Sequence, residues 1–553
     1  MRTTLHRLQF SLTACLLALL AVGCAPRSTD SWPARTDSLV ARQVEIRLNA
    51  DPGMDRAVPW LKPVDRTIQS FYEANSYRPA WIDDGKVTRL ARTLLEDLER
   101  VGEDGIPPEI FAVERVEQAI ARLEEEKSPE SAALADLELT RAFLHYATVQ
   151  TEGLVDPRQV GSEAYVDPEE APLDSLLTVV LSGRAPDRIR DLVAPRSPLY
   201  EALFEARREY LELAERADWP QLPDTVVVEP GEAHSVVPLL RQRLAITGEL
   251  DRSGSERDTV FDGEVQAAVA RFQRRHAIAV DSTLGPQTLA ALNRTPGEIV
   301  KTIEMAMERL RWMPSRLGDR FVLVNIPEFQ VYGYEAGEPV LEMNVVVGAE
   351  YGGRQTPVFH DVMEHVVFNP YWNVPSSITV NELLPKIREN PGYLAANRYE
   401  LVDGEGQVVQ SANPDAIEDG EYRIRQRPGS DNALGLVKYM FPNQYDIYLH
   451  DTPADHLFQE FERDFSHGCI RLEHPDVFGE FVLGPQGWDE VDVRSAIEAG
   501  EHRTVMLEEQ FPVYILYLTA FFDGRDLILA PDIYGYDSEL ESALAAQRNR
   551  VSG

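Results

Sequence analysis

From Asp65 onward the apolar positions recur with a helical period. Val87–Leu98 sets Leu90, Leu94 or Leu95, and Leu98 on one face, which predicts an amphipathic helix. Asp136–Ala147 repeats the pattern with Leu139, Phe143, Tyr146 and Ala147, and Pro198–Leu211 predicts a third helix. Residues 61–230 therefore read as a mostly α scaffold in which nothing converges on chemistry. Between 231 and 295 the helical stripes are shorter. Val237–Leu244 forms one. Asp262 stands ready to cap a second, whose buried face is Val265, Val269 and Phe272. Pro286 opens a third, with Leu289 and Leu292 inside.

At Phe321 the period drops to two. Strands are predicted at 321–326, 330–334, 339–347, 364–368 and 445–450, with a turn at Glu335–Glu338. This is an antiparallel β domain over residues 319–510. Residues 373–430 break into it with polar, partly helical text containing Pro and Gly, the character of an inserted lid. A last apolar run, Pro512–Phe522, makes 511–553 a C-terminal segment expected to pack on the β domain. The fold class is thus multi-domain α+β: an α scaffold, a small three-helix module and an antiparallel β domain with a lid.

The N-terminus follows a different pattern. Arg2, His6 and Arg7 precede an apolar run from Leu12 to Val22, short for a membrane span of about 20 apolar residues and typical of an export signal. The run ends in Leu20-Ala-Val-Gly-Cys24, which resembles the lipobox of bacterial lipoproteins. The resemblance implies a signal over 1–23, a lipidated Cys24, and a tether over 24–60. It also implies a membrane anchor in the periplasm, on the outer membrane given Ala25 behind the cysteine.

Charge then narrows the choice of partners. The chain has 553 residues with 54 Lys+Arg against 91 Asp+Glu, a formal net charge of −37. No basic cluster is present to neutralise phosphates, which excludes nucleic acid as a partner. There are three cysteines, Cys15, Cys24 and Cys469. Once a signal is removed and Cys24 acylated, Cys469 is the one thiol left in an oxidising compartment, with no partner for a disulfide.

That thiol lies in the chemically richest text, Ile447–Pro453 and Phe465–Leu472. A thiol attacks an amide carbonyl as thiolate, and its ordinary pKa of about 8.5 calls for a nearby base. His450 and His467 are candidates: His450 ends a predicted strand, and His467 lies two residues before Cys469. Gly468 permits a tight turn that aims backbone N–H groups at a developing oxyanion. Arg471 can bind a carboxylate or brace the loop. The His, Asp and Cys spacings match no zinc signature, and the chemistry calls for neither metal nor cofactor.

His450, followed by Ser466-His-Gly-Cys-Ile-Arg471, resembles the signature of the L,D-transpeptidase catalytic domain of the YkuD type. Asn369–Ile378, Asn432–Asn443, Phe71–Trp81 and Asp532–Asp537 resemble the large multi-domain branch of that family. Phe261–His276 with Asp281–Asn293 resembles the three-helix peptidoglycan-binding module, although Ser282 stands where that module usually has Gly. These likenesses imply a wall enzyme that forms 3-3 cross-links between peptidoglycan stem peptides. Cys469 would be the nucleophile and His450 the general base and acid. The N–H groups of His467, Gly468 and Cys469 would form the oxyanion hole, with Ser466 and Arg471 in support. Tyr371, Trp372 and Lys438 would line the substrate groove. Two rival readings use the same text: an L,D-carboxypeptidase that passes the acyl group to water, and a wall-binding lipoprotein without catalysis.

Overall fold

The computed structural model describes residues 34–50 and 64–552, apart from 161–165, 167, 169, 185–186, 217 and 252–257. The expected signal and Cys24 lie outside the described residues. Two compact units are present.

The first unit comprises, among the described residues, 34–50, 64–92 and 114–142. Its opening helix, Ala34–Ala50, occupies the stretch expected to be a tether. Val40, Val44 and Leu48 recur every four residues and are buried, so one stripe of an otherwise polar segment is enough to fold it. Asp136 lies fully buried in this unit. Its carboxylate accepts the backbone N–H groups of Ala80, Trp81 and Ile82 at 2.7–3.1 Å and the Tyr72 hydroxyl at 2.5 Å. Burial still pushes its pKa up to about 6. The Phe71–Trp81 text is thus the rim of a buried carboxylate site that fixes a turn.

The second unit holds residues 93–113 and 143–553. Its three-helix module is built from Val237–Ile246, Gly263–Arg275 and Pro286–Asn293 around Leu240, Leu244, Val269, Phe272 and Leu292. Asp262 caps the second helix by accepting from Glu264 and Val265 N–H. Ser282 adopts φ +59°, a left-handed conformation that Gly reaches without strain. The helix Pro296–Arg311, opened by a Thr295–Glu298 capping box, leads from the module to the β domain.

Eight strands close into a barrel: β1 Arg320–Asn325, β2 Gln330–Glu335, β3 Glu338–Val346, β4 Phe359–Phe368, β5 Val437–Met440, β6 Leu449–His450, β7 Ile470–Leu472 and β8 Arg503–Leu516. Their order around the barrel is β5-β6-β7-β3-β2-β1-β8-β4. Most neighbours are antiparallel, but β6–β7 and β8–β1 are parallel, which the expectation of a purely antiparallel sheet had not foreseen. The strand expected over 445–450 shrinks to two residues. Asn443 holds the preceding loop instead, accepting from Tyr445 and Ile447 N–H and donating to the Phe441 and Ile447 carbonyls.

The boundary expected at residue 510 cuts through β8. Val513–Leu516 pair with Val322–Asn325, and Phe511–Ile515 with Phe359–Met363. Residues 511–516 are therefore barrel wall rather than an appendage. Behind them come a hairpin, Ala520–Phe522 with Leu527–Leu529, and the helix Tyr536–Ser552. Asp537 ties this tail to Arg309 at 2.5 Å and to the Thr519 hydroxyl at 2.6 Å. The insertion after β4 has a four-stranded sheet (Trp372–Asn373, Arg423–Gln426, Tyr399–Val402, Val408–Val409) and its own core of Leu384, Ile387, Leu401, Ile417 and Ile424.

Barrel closure gives a direct prediction. A chain ending at residue 510 leaves β1 and β4 with unpaired edges and exposes their apolar inner face. It should lose the cooperative thermal transition of the barrel, read by near-ultraviolet circular dichroism, that the full chain is expected to show.

Candidate active site

Register places the chemistry. Lys438 on β5 lies opposite His450 on β6, and His450 lies opposite Arg471 on β7. Residues directly opposite one another project to the same face of a sheet. The alternate positions Tyr439, Leu449, Ile470 and Leu472 point into the barrel core, so the three basic residues form a row on the outer face. Cys469 stands at the mouth of β7, two residues before Arg471.

The loop that carries Cys469 is zipped to the end of β3. Val347 N–H donates to Arg463 O, Ser466 N–H to Val347 O, and Ala349 N–H to Ser466 O. Gly348 is required there. A Cβ at this position would lie 2.0 Å from Arg354 O and 2.7 Å from Thr356 N. Ser466 then ties the turn around Gly468, which sits at φ +113°. The Ser466 hydroxyl accepts from Gly468 N–H at 3.0 Å and donates to Cys469 O at 2.6 Å. This corrects the expected oxyanion trio. The Gly468 N–H is already bonded to Ser466, while no protein acceptor lies on Cys469 N–H or His467 N–H among the described residues.

Cys469 Sγ is 3.7 Å from the Asp446 carbonyl and hydrogen-bonds with the Tyr448 hydroxyl. Water reaches the residue's surface, but protein groups crowd the sulfur and leave little room to solvate a thiolate. Burial accordingly pushes the thiol up to about 11, against the Tyr448 hydrogen bonds and the charges of Arg471 and Lys438. Burial, with Arg471 and Lys438 beside it, pushes the His450 imidazole down to about 3. The resting pair is therefore neutral thiol and neutral imidazole.

His450 Nδ1 lies 2.5 Å from the Asp451 carbonyl oxygen, to which it donates as the neutral tautomer. That leaves Nε2 unprotonated. The Asp451 carboxylate points elsewhere, accepting from Leu436 N–H and Thr452 N–H, both at 2.7 Å. The two side chains part because successive residues of a strand face opposite sides. Tyr448, two residues before His450, shares its face. Its ring is 5.7 Å from the His450 ring and lies under Lys438 Nζ at 5.1 Å.

The other expected residues sort differently. His467 Nε2 meets the Glu382 carboxylate of the insertion at 2.6 Å, and Glu382 also binds Arg354 at 3.1 Å. The lid is thus clasped to the cysteine loop. Lys438 lies in the basic row, but Tyr371 and Trp372 sit at the base of the lid. Tyr371 packs against His502 and Arg425, and Trp372 against Tyr399. Residue type alone gave no sign of Tyr448 or Glu382. Alternation counted back from His450 would have found Tyr448. Nothing local would have found Glu382. Among the described residues, no three His, Cys, Asp or Glu side chains converge as a metal-ligand group.

Two measurements follow from this geometry. With the thiol held near 11, alkylation of Cys469 by iodoacetamide should climb steadily from pH 7 to pH 10, since the rate follows the thiolate fraction. A plateau below pH 8 would show a preformed thiolate. Asp451→Ala strands two backbone N–H groups and should lower stability by about 1–3 kcal/mol, read by denaturant titration. Its acylation rate should stay within about tenfold of wild type, because the carbonyl that orients His450 remains.

Similarity to known proteins agrees with this arrangement. Residues 319–493 match the L,D-transpeptidase catalytic domain, 66–206 a scaffold domain, and 234–292 a "putative peptidoglycan binding domain". A "Putative L,D-transpeptidase" of Haemophilus influenzae is 34% identical over 275 residues, which is 48% of this chain and 55% of that protein. The chain thus spans about half the length of this curated relative. Crystal structures of L,D-transpeptidases from Xylanimonas cellulosilytica and Stackebrandtia nassauensis align with 54% of this chain and with 100% and 96% of theirs. Their identities are 14% and 13%, and their TM-scores 0.17 and 0.21. The chain thus carries, in order, a region matching a scaffold domain, one matching a peptidoglycan-binding domain and one matching the YkuD-type L,D-transpeptidase catalytic domain.

Proposed function

We propose that this chain is a cysteine L,D-transpeptidase that forms 3-3 cross-links in peptidoglycan. The observation that carries the reading is the open Cys469 N–H at the mouth of the strand paired with that of His450, whose imidazole Nδ1 is fixed by a backbone carbonyl. In this reading the thiol proton passes to His450 Nε2 as sulfur attacks the carbonyl between meso-diaminopimelate and the terminal D-Ala of a tetrapeptide stem. The oxyanion is held by the N–H groups of Cys469 and His467. Collapse breaks the C–N bond, and His450 returns its proton to the departing D-Ala amine. The side-chain amine of a second stem then loses a proton to His450 and attacks the thioester, which releases the Cys469 thiol.

The lid clasp supports transfer over hydrolysis, because covering the acyl-enzyme keeps water away while an amine enters. The N-terminal apolar run and Cys24 support export and a lipid anchor in the periplasm. The three-helix module supports contact with the wall.

The test is mass spectrometry of the purified full chain with disaccharide-tetrapeptide. Loss of D-Ala together with a cross-linked dimer is expected, and both should vanish in Cys469→Ala. Loss of D-Ala with no dimer would make the protein a carboxypeptidase, and no reaction at all would leave wall binding.

A further inference from the structure

The Gly468–Cys469 peptide is gripped from behind by side chains that the proposed reaction does not use. Thr356 is fully buried. Its hydroxyl accepts from Gly348 N–H and donates to Gly468 O, both at 2.8 Å. The Tyr534 hydroxyl donates to Gly348 O at 2.5 Å and accepts from Thr356 N–H at 3.4 Å. Tyr534 is itself held, since its N–H donates to the Tyr517 hydroxyl at 2.8 Å and Tyr517 donates to Asp532 at 2.6 Å.

One covalent fact gives this chain of bonds its meaning. In a trans peptide, C=O and N–H lie in one plane and point in opposite directions. The oxygen that Thr356 grips belongs to the same peptide as Cys469 N–H. Gly468 alone leaves that plane loosely set, because glycine admits a wide range of φ and ψ. Fixing the oxygen therefore aims the N–H.

We infer that Thr356 is a positioning residue that orients the oxyanion donor of Cys469, and that Tyr534 anchors it from outside the 319–493 region. The inference rests on the reading of Cys469 as the acylated nucleophile.

The test uses the full chain and two reactions of one sulfur. Acylation by a carbapenem, followed by intact mass and stopped-flow fluorescence, passes through an oxyanion. Alkylation by iodoacetamide does not. Thr356→Val keeps the shape and loses the hydroxyl, and should slow the first-order acylation step by about 10²-fold with little change in half-saturation, the loss seen when one oxyanion donor is removed. Alkylation should stay at the wild-type rate. Thr356→Ser should restore acylation to within a few-fold, and Tyr534→Phe should slow acylation while sparing alkylation. Equal slowing of both reactions, or wild-type acylation in Thr356→Val, would overturn the inference. If Thr356→Val does not fold, Tyr534→Phe decides by the same two rates. Failure of the wild-type chain to acylate would instead sink the cysteine reading, and the inference with it.

Discussion

The parallel pairing of β6 with β7 is the constraint on which the site depends. Antiparallel strands can be joined by a tight turn, but parallel ones need a crossover. The 19 residues from His450 to Cys469 supply it, and their return in register sets Leu449 against Ile470 and His450 against Arg471. A slip of one residue would turn Arg471 into the core and Ile470 out to solvent. The buried pair Leu449 and Ile470 therefore fixes where His450 and Arg471 point.

Electrostatics on the outer face then follows from that register. Three basic side chains stand in a row beside one thiol, in a chain whose net charge is −37. Burial, with Arg471 and Lys438 beside it, keeps the imidazole neutral; the same two charges favour negative charge on sulfur, where burial opposes them. Burial outweighs them at the sulfur, so the thiol stays protonated. A protonated thiol is also slow to oxidise, because oxidation proceeds through the thiolate.

Much of the architecture was legible in the sequence because it is locally encoded. The change of period at Phe321, the Asp262 cap, the helix opened by Pro286 and the Ser466–Arg471 text all declare themselves within a few residues. What stayed hidden depends on distant partners. The helix at Ala34–Ala50 lies in polar text, with an apolar stripe of one residue per turn. The last strand was read as a separate segment because its parallel partner lies 191 positions earlier, Val322 against Val513. The expected third oxyanion donor failed for a short-range reason: a serine hydroxyl two residues before Gly468 captures its N–H. Tyr371 and Trp372 sit in text that matches the family, yet their rings brace the lid.

That 191-residue pairing has a consequence for how the chain comes to exist. A ribosome releases β1 long before β8, and contacts at such separation are slow to form because loop closure must precede them. Through that interval β1 to β7 make a sheet with two open edges, the form most prone to pairing with a neighbouring chain. Closure of the barrel is therefore a late event, completed only when Arg503–Leu516 arrives. Until then Cys469 lacks the burial that the closed barrel gives it, and its thiol keeps the ordinary pKa of about 8.5.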